Sequence, residues 1–439
     1  MGSIPQVAER MMALLSTVAD QVGRATGFVQ RQSRVRGSVF VQLLTFGLLG
    51  NPTASLSTLA LGAADLGVTL SPQGLDQRFT EAGAQTLELV VGHALRTAIT
   101  GPSVAIPLLE RFTTVAVHDA TTVGLPAIFA DRWEGCGNGT ETPAAACKLQ
   151  LQIDLRHGQV RGDLFDGRDS DRNQTLDTTL PAGSLRLADL GYWDVARLRE
   201  LDARGIYWLS RGHTQTALRS TEDAAPTSLL ALLEANPAAT MDMPVWVGVN
   251  ERMPARLIAR RVPQEVVDQR RRRLRAAARA DGRTVSATVL ALAAWAIFVT
   301  NCPPELLSAE EAEVLGRIRW QIELIFKLWK SHGAIDNIRA VHPWRQLCEF
   351  YAKLLGMILT HWLIIVSCWH MPDRSLTKAA QAIRARVAVI AYAMGSVGEL
   401  TAALLQIAQS IAAGCHMNSR RKHPNAYQLL FTVGGEVLA

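Results

Sequence analysis

The sequence has 439 residues, of which 19% are charged and 48% are hydrophobic, and its formal net charge is +6. This composition excludes a disordered or fibrous chain and indicates a globular protein of two or three domains. The mild positive charge is compatible with a nucleic-acid partner. Six scattered cysteines lack the spacing typical of a zinc site, so we expect reduced thiols rather than metal ligands or disulfides.

Two apolar runs, at 285–300 and 354–369, are the candidates for membrane-spanning helices. Both are shorter than the ~20 residues that a spanning helix needs. The N-terminal stretch MGSIPQVAERMMALL has no basic region of the kind that opens a signal peptide. We therefore expect both runs in the core of a cytoplasmic protein with no membrane partner.

Residues 1–110 are predicted to be helical. An apolar run at 37–49 ends in Gly-Asn-Pro, a second helix is expected over 55–65, and Ser71-Pro72 has the residues of a helix start. The pattern helix, short turn, helix is typical of a DNA reader, but it is also common in plain helix packing. Both interpretations stay open.

From Phe112 onward the pattern changes to short strands. FTTVAVHDA predicts a strand that ends at Asp119, and KLQLQIDLRHGQVRGDLFDG predicts a β-hairpin. LRLADLGYWDVARLRELDARGIYWLSR predicts strand, helix and strand, and its first strand ends at Asp189. This order predicts an α+β fold with a central mixed sheet.

Residues 212–283 break this order and are predicted to form a β-rich insertion. The segment ends in an arginine-dense helix, QEVVDQRRRRLRAAARADGR. Such a charge run is either a solvated face or a surface that contacts phosphates, and the sequence favours neither. After it, WAIFVTN predicts a further strand. From about residue 340 the chain is predicted to be helical again, closing with the basic NSRRKHPNAY.

RWQIELIFKLWKSH predicts an amphipathic helix that carries one acid, Glu323, inside a basic frame. At ~100° per residue, Arg319, Lys327 and Lys330 all fall within about 40° of Glu323. One interpretation is a solvated face with i,i+4 ion pairs, each worth a few tenths of a kcal/mol. The other is a set of cations that hold DNA phosphates beside a catalytic carboxylate.

Three carboxylates occupy positions typical of an active site. Asp119 and Asp189 are predicted just past strand ends, and Glu323 is predicted on a helix directly after a strand, where sites in α/β-type sheets are often built. Oxygen-only ligands favour magnesium or manganese. Two such ions can clamp the attacking and leaving oxygens of a phosphodiester. Arg211, at another strand end, is a candidate phosphate contact, whereas His118 is expected to be structural.

These segments resemble DDE transposases of the insertion sequence 4 family. That family carries a Tyr-x2-Arg-x3-Glu-x6-Lys signature, and Arg319, Glu323 and Lys330 match its last three positions. VAVHDATTVGLP resembles the first-acid segment, and LADLGYWD resembles the second, so the resemblance gives Asp119 and Asp189 rather than Asp194. The tyrosine position is Gly316 here.

The resemblance implies a ribonuclease-H-like catalytic domain over 111–335, interrupted by the insertion. A helical domain at 1–110 would bind transposon ends, and a helical region at 336–439 would support a homodimer on DNA. The site Asp119, Asp189 and Glu323 would use Mg²⁺, with Mn²⁺ as a substitute. Arg319, Lys327, Lys330 and Arg211 would contact double-stranded DNA in a nucleoid-associated enzyme.

Two alternatives to a complete transposase remain, a nuclease that cuts without strand transfer and an inactive DNA-binding relic. The second is motivated by Gly316, because glycine on a continuous helix would leave a gap where the signature has a ring. If that gap is open, Gly316→Tyr should fold and preserve activity. If another side chain has filled it, a tyrosine would clash.

Overall fold

The computed structural model describes residues 3–137, 144–171, 176–212, 216–236, 238–280, 282–417 and 429–430. The helices, numbered in chain order, are α1 (Ile4–Met12), α2 (Ala19–Ala25), α3 (Gly37–Gly50), α4 (Leu56–Gly62), α5 (Pro72–Asp76), α6 (Glu81–Arg96), α7 (Pro107–Glu110), α8 (Val195–Ala203), α9 (Leu229–Glu234), α10 (Gln264–Ala280), α11 (Ala287–Leu292), α12 (Ala309–Ile318), α13 (Gln321–Gly333), α14 (Pro343–Cys368), α15 (Leu376–Arg384), α16 (Val387–Tyr392) and α17 (Val397–Gly414). The strands are β1 (Val115–Leu125), β2 (Ala145–Asp154), β3 (Val160–Asp166), β4 (Leu185–Ala188), β5 (Tyr207–Arg211), β6 (Leu218–Arg219), β7 (Thr240–Val247), β8 (Met253–Arg261) and β9 (Trp295–Thr300). The basic stretch NSRRKHPNAY lies outside the described residues.

The described residues form two compact units. Unit 1 contains those of 1–105, 119–169 and 322–421, and unit 2 contains those of 106–118, 170–321 and 422–439. The domain boundaries predicted at 110/111 and 335/336 separate functions, whereas the two units are separated by compactness. The predicted domain boundaries stay a prediction. The mixed α and β composition agrees with the predicted α+β class.

The helical character of the N-terminal region is confirmed. Ser55 and Ser71 begin α4 and α5 as expected, because their hydroxyl oxygens accept hydrogen bonds from the backbone N–H groups of Thr58 (3.1 Å) and Gly74 (3.0 Å). These bonds satisfy donors that the first turn of a helix otherwise leaves unpaired.

The core of unit 1 is built on α14, which packs against α3, α6 and α17. Among the described residues it is the one helix that is long and apolar enough to cross a membrane, but 94% of its apolar window is buried inside the protein. The run at 354–369, predicted to be core, lies almost wholly in this helix. That prediction is confirmed.

The predicted hairpin is also in unit 1. Strands β2 and β3 pair antiparallel from Cys147 with Asp166 to Ile153 with Val160. Gly158 in the turn has φ +70°, and a Cβ there would lie 2.6 Å from the ring of Trp369. Glycine is therefore required both by the backbone conformation and by the close approach.

Unit 2 contains a mixed sheet in which the first part of β1 pairs parallel with β4 and β4 pairs parallel with β5. The order continues β5-β9-β8-β7-β6, with antiparallel pairing from β5 onward. The insertion predicted at 212–283 contains β6, β7 and β8 together with α9 and α10. Its strands extend the sheet through β9, so within unit 2 the insertion enlarges the sheet that carries the second acid.

Two sequence predictions about the acids were wrong in detail. Asp119 does not follow a strand end, because β1 continues through Thr121 and Val123 to Leu125. Glu323 does not follow a strand directly either, since α12 lies between β9 and the helix that carries it. The basic-frame helix is also interrupted: α12 ends at Ile318 and α13 begins at Gln321.

Candidate active site

Asp119 lies inside β1 and is half-buried. Its Oδ1 accepts a hydrogen bond from the backbone N–H of Ala120 at 2.8 Å. The residue before it, His118, is 1% exposed, in agreement with the structural role expected for it. Asp119 therefore lies on β1 directly after His118, a residue that is buried in the core.

Asp189 follows β4 directly, as predicted, and is half-buried. Its Oδ1 accepts the N–H of Gly191 at 2.9 Å, which begins a short 3-10 helix. The neighbouring acid Asp194 caps α8 instead, accepting the N–H of Arg197 at 3.1 Å. The N-cap hydrogen bond therefore gives Asp194 a structural role at the start of α8.

A second carboxylate lies beside Asp189. A Cβ built on Gly191 would be 3.1 Å from Asp189 Oδ1 and 2.9 Å from Asp171 Oδ2. The two side chains thus approach the same glycine from different segments. The sequence analysis did not single out Asp171, since nothing in its local pattern indicates this proximity.

Arg211 ends β5, and its neighbour Ser210 pairs with Ala188, the residue before Asp189. The arginine and the second acid therefore extend from the same end of two parallel strands. Desolvation lowers the pKa of Arg211, the charge of Arg319 lowers it further, and Asp189 opposes both. Within unit 2, Arg211 therefore lies close enough to both Arg319 and Asp189 to be affected by their charges.

Glu323 lies in the first turn of α13 and is half-buried. The predicted apolar face of this helix is confirmed, since Ile322, Ile325 and Trp329 are buried. Lys327 is exposed and Lys330 is half-buried. Because α12 and α13 are separate helices, the angles computed for Arg319 and Gly316 on one continuous helix do not hold.

The gap expected at Gly316 is filled. A Cβ on this residue would lie 2.2 Å from Cε1 and 2.6 Å from Cζ of Phe298, a buried residue of β9. Contacts this short cannot be accommodated without moving the ring. The interpretation of an open gap at Gly316 was therefore wrong, and the alternative of a filled gap is supported, because the ring of Phe298 occupies this space. The effect of Gly316→Tyr on folding and activity stays a prediction, and the expected result is a clash with Phe298.

A buried charged group, which we call the Asp177 cluster, lies in unit 2 and includes one side chain from β1 and one from β4. It consists of Asp177, His118, Arg186 and Arg197. Arg186 Nε lies 2.9 Å from Asp177 Oδ1, Arg197 Nε lies 3.4 Å from Oδ2, and His118 Nε2 lies 3.6 Å from Oδ1. Sequence reasoning missed this cluster.

The electrostatics of the cluster follow from its burial. Burial raises the pKa of Asp177, but the positive charges of Arg186 and Arg197 and the hydrogen bond that Arg186 donates outweigh this effect and leave the pKa lowered. Burial lowers the pKa of His118 to about 4, against the opposing effect of Asp177, so the imidazole is neutral at pH 7. Asp177 and Arg186 are thus an ion pair whose partners are almost completely removed from water.

The chemistry of the three predicted acids suits a hard divalent cation, because all three donors are carboxylate oxygens that retain solvent access. Asp119 and Glu323 belong to unit 1 and Asp189 to unit 2. Across the described ranges, no group of three or more His, Cys, Asp or Glu side chains is close enough together to hold a metal ion. Convergence of the three acids on shared ions stays a prediction.

Comparison with known proteins identifies the family. The family model described as "Transposase DDE domain" matches residues 110–359, more than half of the chain, and this segment contains Asp119, Asp189 and Glu323. The chain therefore belongs to the DDE transposase family and is an enzyme of that class.

The curated relatives are transposases of insertion sequences. The chain is 27% identical over 380 residues to the transposase for insertion sequence element IS231F of Bacillus thuringiensis subsp. israelensis, covering 81% of this chain and 79% of the relative. It is 24% identical over 370 residues to the transposase for IS1151 of Clostridium perfringens, with 79% and 78% covered. It is also 27% identical over 359 residues to the transposase for IS421 of Escherichia coli, with 77% and 88% covered.

Proposed function

We propose that this protein is an insertion-sequence transposase that binds the terminal inverted repeats of its element, cleaves DNA there and transfers the strand to a target. The family match carries the proposal, because it spans all three acids. The curated relatives that the chain resembles over about four fifths of its length are named as transposases of insertion elements.

The fold of the catalytic part supports the same proposal. Strands β1, β4 and β5 are parallel neighbours in unit 2, and β1 continues into unit 1, where the order is β3-β2-β1. We infer that these five strands form a ribonuclease-H-like core within a catalytic domain of residues 111–335. In this scheme 212–283 is the insertion, 1–110 binds DNA, and 336–439 supports a homodimer on DNA.

In the proposed mechanism, Asp119, Asp189 and Glu323 would hold Mg²⁺, or Mn²⁺ as a substitute. Such a metal would supply Lewis-acid chemistry for hydrolysis and transesterification of a phosphodiester. Arg211, which is affected by the charges of both Asp189 and Arg319, would neutralise charge on the scissile strand together with Arg319, and Lys327 and Lys330 would hold flanking phosphates. The enzyme would work in the cytoplasm, on the nucleoid.

The test is a cleavage assay on DNA that contains the regions flanking the coding sequence, with Mg²⁺ or with EDTA. Asp119→Asn, Asp189→Asn and Glu323→Gln should each reduce cleavage by a factor of about 10³ or more, since a ligand of the catalytic ions is lost. DNA binding should persist, because the phosphate contacts remain. Asp194→Asn is the matched control and should retain cleavage, since Asp194 caps α8.

Each rival predicts a different result. Retained cleavage in the Asp119 or Asp189 variant at saturating Mg²⁺ would contradict the assignment of the acids. Cleavage by the native protein without joining of pre-cleaved 3′-ends to a target plasmid would indicate a nuclease without strand transfer. Binding without any cleavage would indicate a relic.

A further inference from the structure

The Asp177 cluster holds a short segment of unit 2 at both ends. This segment, which we call the second-acid loop, runs from Asp189 to Asp194, between the end of β4 and the start of α8. Arg186 of β4 lies before the loop, and Arg197 of α8 lies after it. Their Nε atoms lie 2.9 and 3.4 Å from the two oxygens of one carboxylate, that of Asp177. One buried carboxylate therefore ties together the two elements between which the second acid lies.

The segment that carries Asp177 is itself fixed. Arg204, the residue after α8, donates hydrogen bonds to three backbone carbonyls of this segment: Asp177 (3.1 Å), Thr178 (3.3 Å) and Leu180 (2.9 Å). The side chain of Asp177 is completely buried. Water therefore does not compete with the arginines for its oxygens, so the carboxylate is a fixed point to which both ends of the loop are attached.

The interior of the second-acid loop contacts the same cluster. The ring of Tyr192 is buried, and its centroid lies 5.7 Å from the guanidinium carbon of Arg186 and 6.4 Å from the ring centroid of His118. A guanidinium over an aromatic ring is attracted by the ring's quadrupole, and more strongly when both are removed from water. Asp189, three residues before Tyr192, thus belongs to a loop that the cluster holds at both ends and in its interior.

Other contacts give the loop its shape and one anchor. The N–H of Gly191 donates to Asp189 Oδ1 at 2.9 Å, and that of Tyr192 donates to the carbonyl of Asp189 at 3.3 Å. Trp193 packs edge-on against Trp208 of β5, with the ring centroids 6.2 Å apart. A single apolar anchor leaves a loop free to turn about it. The contacts of the cluster with β4 and α8 remove this freedom.

A buried ion pair is a costly way to fill a core. Replacing such a pair by apolar side chains of similar volume is often neutral or stabilising. What the charged groups add is direction, because each of their contacts joins particular atoms, whereas apolar side chains can slide over one another. Directional contacts on both sides of a loop suit a role in positioning what the loop carries.

We propose that the Asp177 cluster and Tyr192 position the second acid, by holding the second-acid loop so that the carboxylate of Asp189 keeps one orientation toward the ligand that it takes up from solution. The inference rests on the proposed function, in which Asp189 is a catalytic acid. The members of the cluster and Tyr192 are positioning residues, because they act through the loop and do not touch the substrate. Such placement matters, since a displacement of ~1 Å can cost ~10²-fold in rate.

The test begins with Arg197, because its side chain is 24% exposed and its loss should leave the protein folded. Arg197→Met keeps the aliphatic stem and removes the contact between α8 and Asp177. Arg197 also pairs with the exposed Glu200 at 2.6 Å, so Glu200→Gln is the matched control that leaves the cluster intact. Arg197→Lys returns a positive charge and should restore most of what Arg197→Met loses. Tyr192→Leu, which removes the ring beside Arg186, is a second variant with the same expected results.

The first readout is hydrogen exchange of backbone amides, measured by mass spectrometry without DNA. Arg197→Met should speed exchange in 189–194 by about 10-fold or more, and exchange in β5 and β8 by less than about twofold, because only local opening becomes easier. Glu200→Gln should change neither. Equal acceleration in the loop and the strands would show that Arg197 only stabilises the fold, and the inference would be wrong. Unchanged exchange in the loop would contradict it as well.

The second readout is the rate of DNA cleavage at varied substrate concentration. Arg197→Met should lower kcat about 10-fold and leave KM for DNA within about twofold, because the acid is displaced while the contacts to DNA remain. A raised KM with unchanged kcat would mean that Arg197 contacts DNA itself, and the inference would be wrong. An equal loss of kcat in Glu200→Gln would assign the effect to the surface ion pair and would also overturn the inference.

The two readouts separate the inference from the function on which it rests. If the native protein cleaves DNA and Arg197→Met keeps its full kcat, the inference is wrong while the proposed function stands. If the native protein does not cleave DNA but Arg197→Met speeds exchange in the loop alone, the proposed function is wrong, and the hold of the cluster on the second-acid loop is supported.

Discussion

Unit 2 carries two aspartates that are used in opposite ways. Asp177 is completely buried and faces two arginines and a neutral histidine. Asp189 is half-buried at a strand end, where the N–H of Gly191 donates to it and Arg211 lies within electrostatic reach. The difference indicates that the charge of Asp177 serves the fold, whereas that of Asp189 stays accessible for a ligand from solution.

The largest expected effect tests this comparison directly. Asp177→Ala should lower the free energy of unfolding by about 3–5 kcal/mol, because Arg186 would stay buried without its partner. Asp189→Ala should lower it by less than about 1 kcal/mol, since it removes a cap of a short 3-10 helix. Urea unfolding followed by tryptophan fluorescence measures both. Equal losses in the two variants would show that Asp189 is also a structural residue.

A second substitution tests whether the unpaired charge of Arg186 causes the loss of stability in Asp177→Ala. Adding Arg186→Met to Asp177→Ala should recover part of the lost stability, because it removes the uncompensated charge and fills the space with an apolar side chain. A double variant no more stable than Asp177→Ala would mean that cavity formation, and not the buried charge, dominates the loss.

Gly316 of α12 lies in another tightly packed part of unit 2, beside the ring of Phe298. Gly316→Ala should cost about 1–3 kcal/mol through overlap with Phe298, even though alanine favours a helix over glycine by roughly 0.5–1 kcal/mol. Gly316→Tyr should cost more. Thermal melting compares these variants with Phe298→Ala/Gly316→Ala, in which the overlap is relieved and the Gly316→Ala change should cost less. A Gly316→Ala variant as stable as the native protein would show that the ring of Phe298 moves freely.

Gly191 is exposed and lies beside Asp189. Its substitution should reduce cleavage activity without reducing stability. The Cβ of Gly191→Ala would press on the carboxylates of Asp171 and Asp189. Both can rotate away, so the melting temperature should hardly change. The displaced Asp189 should nevertheless reduce cleavage roughly tenfold, since small misplacements of reacting groups are costly. A parallel fall in melting temperature would contradict this separation.

The smallest expected effect concerns the cations beside the acids. Arg319→Ala and Lys330→Ala should each flatten the salt dependence of binding to the element's end by about one unit. Stability should change by less than about 0.5 kcal/mol, as for other surface substitutions. Arg199→Ala is the matched control. An unchanged salt dependence in both variants would return Arg319 and Lys330 to the role of ion-pair partners.

Local patterns in the sequence predicted most elements that carry the site. The hairpin, the unit β4-α8-β5, the strands β7 and β8 and the apolar face of α13 follow from periodicity and turn residues, which act over a few neighbours. The end of β1 was misplaced, since the strand was predicted to end at Asp119 and continues to Leu125. The β-branched residues after them, Thr121, Thr122 and Val123, were the signal that the strand continues.

The remaining features depend on contacts between distant segments. Asp177 meets His118 across 59 residues of chain, and no local pattern distinguishes this acid from a surface turn residue. The break between α12 and α13 falls at Arg319 and Trp320, and neither residue is a proline or a glycine, the residues that indicate a helix break in a sequence. Phe298 fills the space beside Gly316 from another element, which only tertiary packing determines. Agreement with the family signature therefore indicates Glu323 as a candidate third acid, but it does not predict the interruption of the helix before this residue.

The burial of α14 has a consequence for how the chain is made. Two of the helices that cover it, α3 and α6, are synthesised before it, whereas α17 begins only at Val397. At ~5–20 residues per second, the ribosome needs about 1.5–6 s after Cys368 to reach Val397. During that interval one side of a 26-residue apolar helix lacks its cover. A chain truncated before Val397 should therefore aggregate or be degraded, and pulse-labelling of truncated chains in a translation extract would measure this.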